Sequence, residues 1–283
     1  MENLNILITG ASGWIGQETL CAIQKQFGTL SGLNLTLAGS RSRIIDIHGE
    51  SVEIVRLDEL STTQNYDLIF HFAFLTQEKI RSIGLDDYLR ANLEIIQVAT
   101  ELAEHNPSAL HLVLSSGVAS FLQKSNFDET NVYAKLKLEL ENRFTNHRAL
   151  TLRLWNTSGH HLGINPNYAL SEFIVAAKRR VDIQIRNNVW RTYVDAQAII
   201  IGAIDYLLDG GRGVHNSGGI KTNLENLAQQ VIDITQSSSR LSLLNSKEMA
   251  IDYVSPDTEI PSCYFSKQLD IEFQVRETSK GIS

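Results

Sequence analysis

Short apolar runs alternate with longer amphipathic stretches through the first half of the chain. Residues 4–9 (LNILIT), 33–38, 52–55, 67–72, 110–115 and 149–154 are each too brief for a helix and rich in branched side chains, so each predicts a buried strand. Over 13–27, 86–104 and 131–144 the apolar positions fall at helical spacing. Strands that are apolar throughout, separated by helices, predict an α/β chain with a doubly wound, mainly parallel sheet covered on both faces.

The pattern changes after Trp155. A loop rich in Gly, His and Asn runs to Asn167, and helices are expected over 169–180 and 195–208 with a strand at 183–186 between them. Thr222, with Glu225 three residues later, has the spacing of a capping box and predicts the start of a further helix. The change divides the chain into 1–155 and a smaller mixed portion, 156–283, from which some segments are expected to return to the first. No repeat or low-complexity linker marks the boundary, and there are only four prolines.

A hydrophobic fraction of 43 % with 20 % charged residues over 283 positions supplies a packed interior and excludes a disordered or fibrous chain. The formal charge of −7 opposes non-specific nucleic-acid binding while leaving room for one local phosphate site. No run approaches the roughly 18 apolar residues of a membrane helix, and the first residues lead directly into a strand pattern, so a soluble, cytoplasmic protein is expected. Cys21 and Cys263 fit neither a disulfide framework nor a metal spacing, which suits a reducing compartment. His71, His160 and His161 make no zinc set, and no metal is expected.

Thr9-Gly10-Ala11-Ser12-Gly13-Trp14-Ile15-Gly16 sets three glycines at intervals of three between the first predicted strand and helix. Gly10 allows a tight turn, Gly13 lets backbone approach a pyrophosphate, and Gly16 keeps the helix close to the sheet. Amides around Ser12, Gly13, Trp14 and Ile15 at the helix start then face the phosphates. A Rossmann-type dinucleotide-binding domain over 1–155 follows. Enzymes using NAD commonly place an acid at the end of the second strand for the ribose hydroxyls; residues 33–40 hold none, and Arg41 and Arg43 follow at once. NADP is therefore preferred over NAD. Asp58, just past the third predicted strand, is a candidate for the adenine edge, with an exposed loop aspartate as the alternative.

Tyr133 and Lys137 lie four apart, so a helix puts both on one face. An ammonium near a phenol favours the phenolate and brings a pKa of about 10 toward the range useful for proton transfer. Ser115 and Ser116 close a predicted strand at the end where such sheets bind ligands, and a serine there hydrogen-bonds a reacting oxygen while the tyrosine moves the proton. Packing or strand termination explains each of these singly; in order along one chain they form a constellation.

At these residues the sequence resembles the extended short-chain dehydrogenase/reductase family, in its NAD(P)-dependent nucleotide-sugar epimerase, dehydratase and ketoreductase branch. The matching stretches are TGASGWIG, His71-Phe72-Ala73, Asn92, Ser115-Ser116-Gly117, YAKLK from Tyr133 to Lys137, RLWNTSG from Arg153 and WRTYVD from Trp190. The resemblance implies that Tyr133 is the acid–base residue, that Lys137 holds the nicotinamide ribose and lowers the tyrosine pKa, and that Ser116 is the hydroxyl partner. Ser116 is preferred over Ser115 because three residues separate it from Ser120, where relatives often carry tyrosine. The same resemblance puts Phe72 and Ala73 beside the cofactor and Asn156 and Arg191 on a nucleotide-sugar substrate; a guanidinium fork also suits a diphosphate on its own merits. His71 is read as a packing or backbone-bonding residue. Asn92 supports the active site or satisfies a buried helix position, Arg153 is equally a structural salt-bridge partner, and Trp190 belongs to the core, an interface or a stacking surface. Family members often dimerise through two helices, one of which would carry Tyr133; a solvated helix face is the alternative.

Two departures narrow the expectation. Where nucleotide-sugar 4,6-dehydratases carry a Thr-Asp-Glu run, this chain has Ser116-Gly117-Val118, which opposes water elimination. Only 16 residues lie between Ser116 and Tyr133, shorter than is usual for the epimerase branch, and the sugar is left open. The expected function is NAD(P)-dependent hydride transfer at a sugar carbinol or carbonyl carbon of a nucleotide sugar. Tightly held NAD would make the protein a 4-epimerase and NADP a net reductase. A reductase of another small carbonyl substrate, or a non-catalytic NADP-sensing or scaffold protein, is the alternative.

Overall fold

The computed structural model describes residues 4–61, 63–122, 131–165, 168–244, 251–257, 260–264 and 270–282. The chain divides into two compact units, residues 1–154 with 201–215 and residues 155–200 with 216–283. The first begins β1 (Asn5–Thr9), α1 (Trp14–Phe27), β2 (Asn34–Gly39), β3 (Arg43–Ile47), β4 (Glu50–Arg56) and β5 (Leu68–His71). It continues through α2 (Ile80–Ile83), α3 (Leu85–His105), β6 (Leu110–Ser116), α4 (Gly117–Leu122), α5 (Val132–Arg143) and β7 (Ala149–Leu154). Then come β8 (Asn156–Ser158), α6 (Ala169–Lys178), β9 (Ile183–Ile185), β10 (Trp190–Asp195), α7 (Ala196–Leu208) and β11 (Gly213–Asn216). The last elements are β12 (Ile220–Asn223), α8 (Leu224–Thr235), β13 (Leu241–Leu243) and α9 (Ile271–Gly281).

The large sheet runs β11-β7-β6-β5-β1-β2-β4-β3 from edge to edge. Its pairs β2–β4, β1–β2, β1–β5, β5–β6 and β6–β7 are parallel. Ile6, Leu7 and Ile8 of β1 are wholly buried, as a strand covered on both faces requires. α3 buries Tyr88, Asn92, Ile96, Ala99 and Ala103, a stripe at helical spacing. Tyr88, Ile96, Ala99 and Ala103 of that stripe make one core with Val113 of β6 and Leu136, Leu140 and Phe144 of α5 and its end. A second cluster joins Leu7, Ala38 and Ile69 of the sheet to Leu102 and Ala109. The Rossmann-type, doubly wound architecture expected from the alternation of runs is the one observed.

In the large sheet the edge strands β3 and β11 escape the apolar-run criterion. β3 pairs antiparallel with β4 at the sheet edge, from Arg43↔Ile54 to Ile47↔Glu50. Its sequence, RIIDI, is largely exposed, so it lacks the continuous apolar signature of the inner strands. The reversal is made by His48 and Gly49, both at positive φ (48° and 88°), as a tight two-residue hairpin turn demands. Glu50 fastens this hairpin to the end of α1: its carboxylate accepts from Gln24 Nε2 at 2.6 Å, Thr29 Oγ1 at 2.8 Å and the Leu30 and Ser31 amides. Those donors, the Gln24 amide foremost, hold its pKa down at about 2.

In the second unit β10 lies between β12, antiparallel, and β8, parallel, while β9 pairs with β13. The WRTYVD stretch, singled out as a motif, is the central strand β10. The expected capping box is corrected here: Thr222 is a buried residue of β12, and the N-cap of α8 is Asn223, whose Oδ1 accepts from the Asn226 amide at 2.8 Å. Asparagine in extended backbone at the residue before the first helical turn caps as well as threonine does, so the helix starts one residue later. No helix among the described residues is long and apolar enough to cross a membrane.

Candidate active site

The strand order reverses at β1 and β5, which pair through Thr9↔His71, and the loops leaving their C-terminal ends meet there. Gly10 sits at φ +69°, and a Cβ on it would stand 2.6 Å from Ala73 N and 2.8 Å from Phe72 O. A Cβ on Gly16 would stand 2.4 Å from Gly10 O. Neither position admits a side chain. α1 opens behind this turn with Gly13 as N-cap, no side-chain cap and no acidic residue in its first turn, so no carboxylate of that turn competes for the positive end of the helix. A helix start of this kind at a topological switch point is the geometry that receives a pyrophosphate, and the residues present fit a dinucleotide.

β2 ends at Gly39, and Ser40, Arg41, Ser42 and Arg43 follow, all exposed. None of these residues is acidic, and Ser42 donates to Glu59, from the turn after β4, at 3.4 Å. Arg43 turns back over the glycine loop and donates to the Ser12 carbonyl at 3.3 Å. Sequence reasoning singled out Arg41 for the site, whereas the contact to the loop is made by Arg43. Asp58 lies in the single turn after β4, where Arg56 donates to it from Nε at 2.8 Å and holds its carboxyl below the usual range.

β6 runs past the end of β5: the last rung between them is His71↔Val113, which leaves residues 114–116 open on that side. Lys137 reaches from α5 into this gap. Its Nζ donates to the Leu114 carbonyl at 3.0 Å, lies 3.7 Å from the centroid of the Phe74 ring and 5.9 Å from that of Tyr133. Lys137 is only 5 % exposed. Burial pushes its ammonium down to about 7, against the upward pull of Glu141. The two serines at the end of β6 point opposite ways, as alternation along a strand requires. Ser115 is buried and donates to Glu141 Oε1 at 2.5 Å; Arg153 on β7 holds the same carboxylate through two nitrogens at 2.8 and 2.6 Å. Ser116 is half-buried, and its Oγ accepts from the Val118 amide at 3.4 Å. Glu141 was missed from the sequence, although a glutamate four residues after a lysine on a helix is a visible signal.

The loop after β5 is fixed at three residues. Thr9 Oγ1 accepts from the Phe72 and Ala73 amides at 3.2 Å each. Asn92, wholly buried, accepts from the Leu75 amide at 2.8 Å and donates to the Leu75 and Tyr88 carbonyls at 3.3 Å. Asn92 thus clamps the loop that carries Ala73 and Phe74. His71 bonds a side chain that sequence reasoning did not connect to it: its Nε2 is 3.1 Å from His111 Nδ1, with both rings buried and stacked.

In the second unit Asn156 donates to the Thr192 carbonyl at 3.0 Å. Arg191 donates to the Ile251 carbonyl at 2.8 Å and lies 5.9 Å from the Tyr253 ring, and burial lowers its pKa. Trp190 is 39 % exposed, with Lys221 Nζ 5.0 Å from its ring.

The profile of the NAD dependent epimerase/dehydratase family matches residues 6–209. A UDP-glucose 4-epimerase of Halalkalibacterium halodurans is 28 % identical over 152 residues, a segment covering 49 % of this chain and 45 % of that protein. The match therefore spans less than half of that relative. A solved UDP-N-acetylglucosamine 4-epimerase from Methanobrevibacter ruminantium, in complex with UDP-N-acetylmuramic acid, shares the fold over 99 % of this chain and 98 % of its own, with TM-score 0.80 and 19 % identity. A UDP-glucuronic acid 4-epimerase from Bacillus cereus, in complex with UDP-glucuronic acid and NAD, does so over 98 % of each chain, with TM-score 0.74 and 16 % identity. With a profile that runs from β1 to just past α7, the chain belongs to the NAD dependent epimerase/dehydratase family.

Proposed function

We propose that this chain binds a nicotinamide dinucleotide on its glycine loop and acts on a nucleotide sugar, with Tyr133 moving the proton at the reacting oxygen. The observation that carries the reading is the Tyr133–Lys137 pair, held over the open end of β6 with the ammonium buried and bonded to the Leu114 carbonyl. The bound nicotinamide supplies hydride transfer at a sugar carbinol or carbonyl carbon. Gly10, Ser12, Gly13, Trp14, Ile15 and Gly16 hold the pyrophosphate, with Phe72 and Ala73 beside it and Asp58 toward the adenine. Lys137 holds the ribose and favours the phenolate of Tyr133. Ser116 takes the hydroxyl-partner role, because Ser115 is committed to Glu141. Asn156 and Arg191 are assigned to the nucleotide sugar, which makes the first unit the cofactor domain and the second the substrate domain.

The epimerases named above support a 4-epimerase, and the NAD bound to the Bacillus cereus enzyme supports NAD. A specific observation favours the second reading, a net reductase using NADP. Residues 33–43 contribute no carboxylate of their own to repel a 2′-phosphate, and Arg43 lies against the glycine loop with Arg41 two residues before it. NADP is the preferred cofactor on this ground. Calorimetry should show tighter binding of NADPH than of NADH by both the native protein and Tyr133→Phe. With a panel of nucleotide sugars, followed by absorbance of the reduced nicotinamide and by chromatography of the sugar product, Tyr133→Phe should lose about 10²–10⁴-fold in turnover. Unchanged turnover in that variant would refute the role of Tyr133.

A further inference from the structure

We propose that Phe74 is a positioning residue for the Tyr133–Lys137 pair: the face of its ring seats the Lys137 ammonium and an edge-to-face contact fixes the Tyr133 ring. The role rests on the assignment of that pair proposed above, and it adds a residue from outside α5.

Three observations carry it. Lys137 Nζ stands 3.7 Å from the Phe74 centroid, well inside the range at which a cation is attracted by a ring face. The Phe74 and Tyr133 rings meet at 5.8 Å with an interplanar angle of 78°, the edge-to-face arrangement that aromatic quadrupoles favour. The ring is also held from behind. Its backbone neighbours Ala73 and Leu75 are tied to Thr9 and Asn92, and its side chain packs on the core of α3, β6 and α5. A long lysine side chain has many rotamers, and a site that needs its ammonium at one place must remove that freedom. The Leu114 carbonyl accepts a hydrogen bond from the ammonium, and the ring face supplies a second, non-directional seat.

Among the described residues, Glu141 is the charged group that acts on Lys137, and it shares α5 with Lys137 and Tyr133. The carboxylate of Glu141 is occupied by Arg153 from β7 and Ser115 from β6. From the β5 side the loop presents Phe74 to it. In a site this buried, the ring helps to keep the amine protonated, because only the cation is attracted to it.

Phe74→Leu removes the ring face and keeps an apolar side chain in its place, while Phe74→Trp restores a stronger one. Lys137 can be followed in the cofactor-free protein by pH titration of ¹³C-labelled lysine, with its signal assigned by Lys137→Met. The titration midpoint should fall by about 0.5–1.5 pH units in Phe74→Leu and return to the native value or above in Phe74→Trp. The pH profile of kcat/KM should move in the same direction. Circular dichroism establishes that each variant is folded, and Phe74→Met serves in the same experiment if the leucine variant is not. A folded leucine or methionine variant with the native midpoint, or a tryptophan variant that fails to restore it, overturns the role of Phe74. Full turnover in Tyr133→Phe would instead refute the function proposed above and leave the titration result standing, so the two failures are distinguishable.

Discussion

Glu141 accepts three hydrogen bonds on its carboxylate, two from Arg153 and one from Ser115, in a place where a carboxylate alone is costly. Its side chain and that of Arg153 are almost fully buried, and Ser115 completes the set. Removing one member of a buried pair strands the other charge, so Glu141→Ala should destabilise the protein by about 3–5 kcal/mol in urea titrations, more than a surface glutamate would. Glu141→Leu combined with Arg153→Met should recover much of that loss, because neither charge is then left uncompensated. This network also bears on how far single residues could be read from sequence. Ser115 and Ser116 are chemically alike and adjacent; strand alternation and the location of Glu141 separate them. Phe74 follows His-Phe-Ala as one more apolar residue, and nothing local distinguishes a ring that packs in a core from one that also seats an ammonium.

Elements were legible where their own periodicity carried them. The helix expected over 13–27 is Trp14–Phe27, that over 131–144 is Val132–Arg143, and the buried strands fall on the apolar runs. Failures occur where the partner, rather than the run, makes the element. β3 is an exposed edge strand that exists by pairing with β4 across the His48-Gly49 turn. The start of α8 depended on a choice between adjacent capping residues, and Asn223 holds the Asn226 amide. Asn223→Ala should therefore cost about 1 kcal/mol and speed hydrogen exchange in the first turn of α8. Unaltered exchange at Asn226 in that variant would contradict the cap.

At the scale of the whole molecule, His71 and His111 couple the sheet to pH. Burial, with smaller contributions from neighbouring positive charge, holds His111 down at about 4 and His71 well below its ordinary value. Both are neutral in the fold, whereas an unfolded chain takes up a proton at each near pH 6.5. Below that value the unfolded state binds more protons, so stability falls as pH drops from about 6.5 toward 4, by up to about 1.4 kcal/mol per pH unit for each histidine. Urea midpoints measured at pH 7 and pH 5 should differ less in His111→Phe than in the native protein. Local sequence determined the order of strands and helices and the glycine loop, because apolar periodicity and the steric needs of a tight turn act between near neighbours. It also placed Tyr133 and Lys137 on one helical face, since that relation is set by helical pitch. The tertiary structure alone decided the reversal of strand order between β1 and β5, the rung at which β5 stops short of β6, the seating of Lys137 on Phe74 and the turn of Arg43 over the loop. Those relations join residues far apart in the chain, and sheet register and side-chain packing, rather than any nearby pattern, fix them.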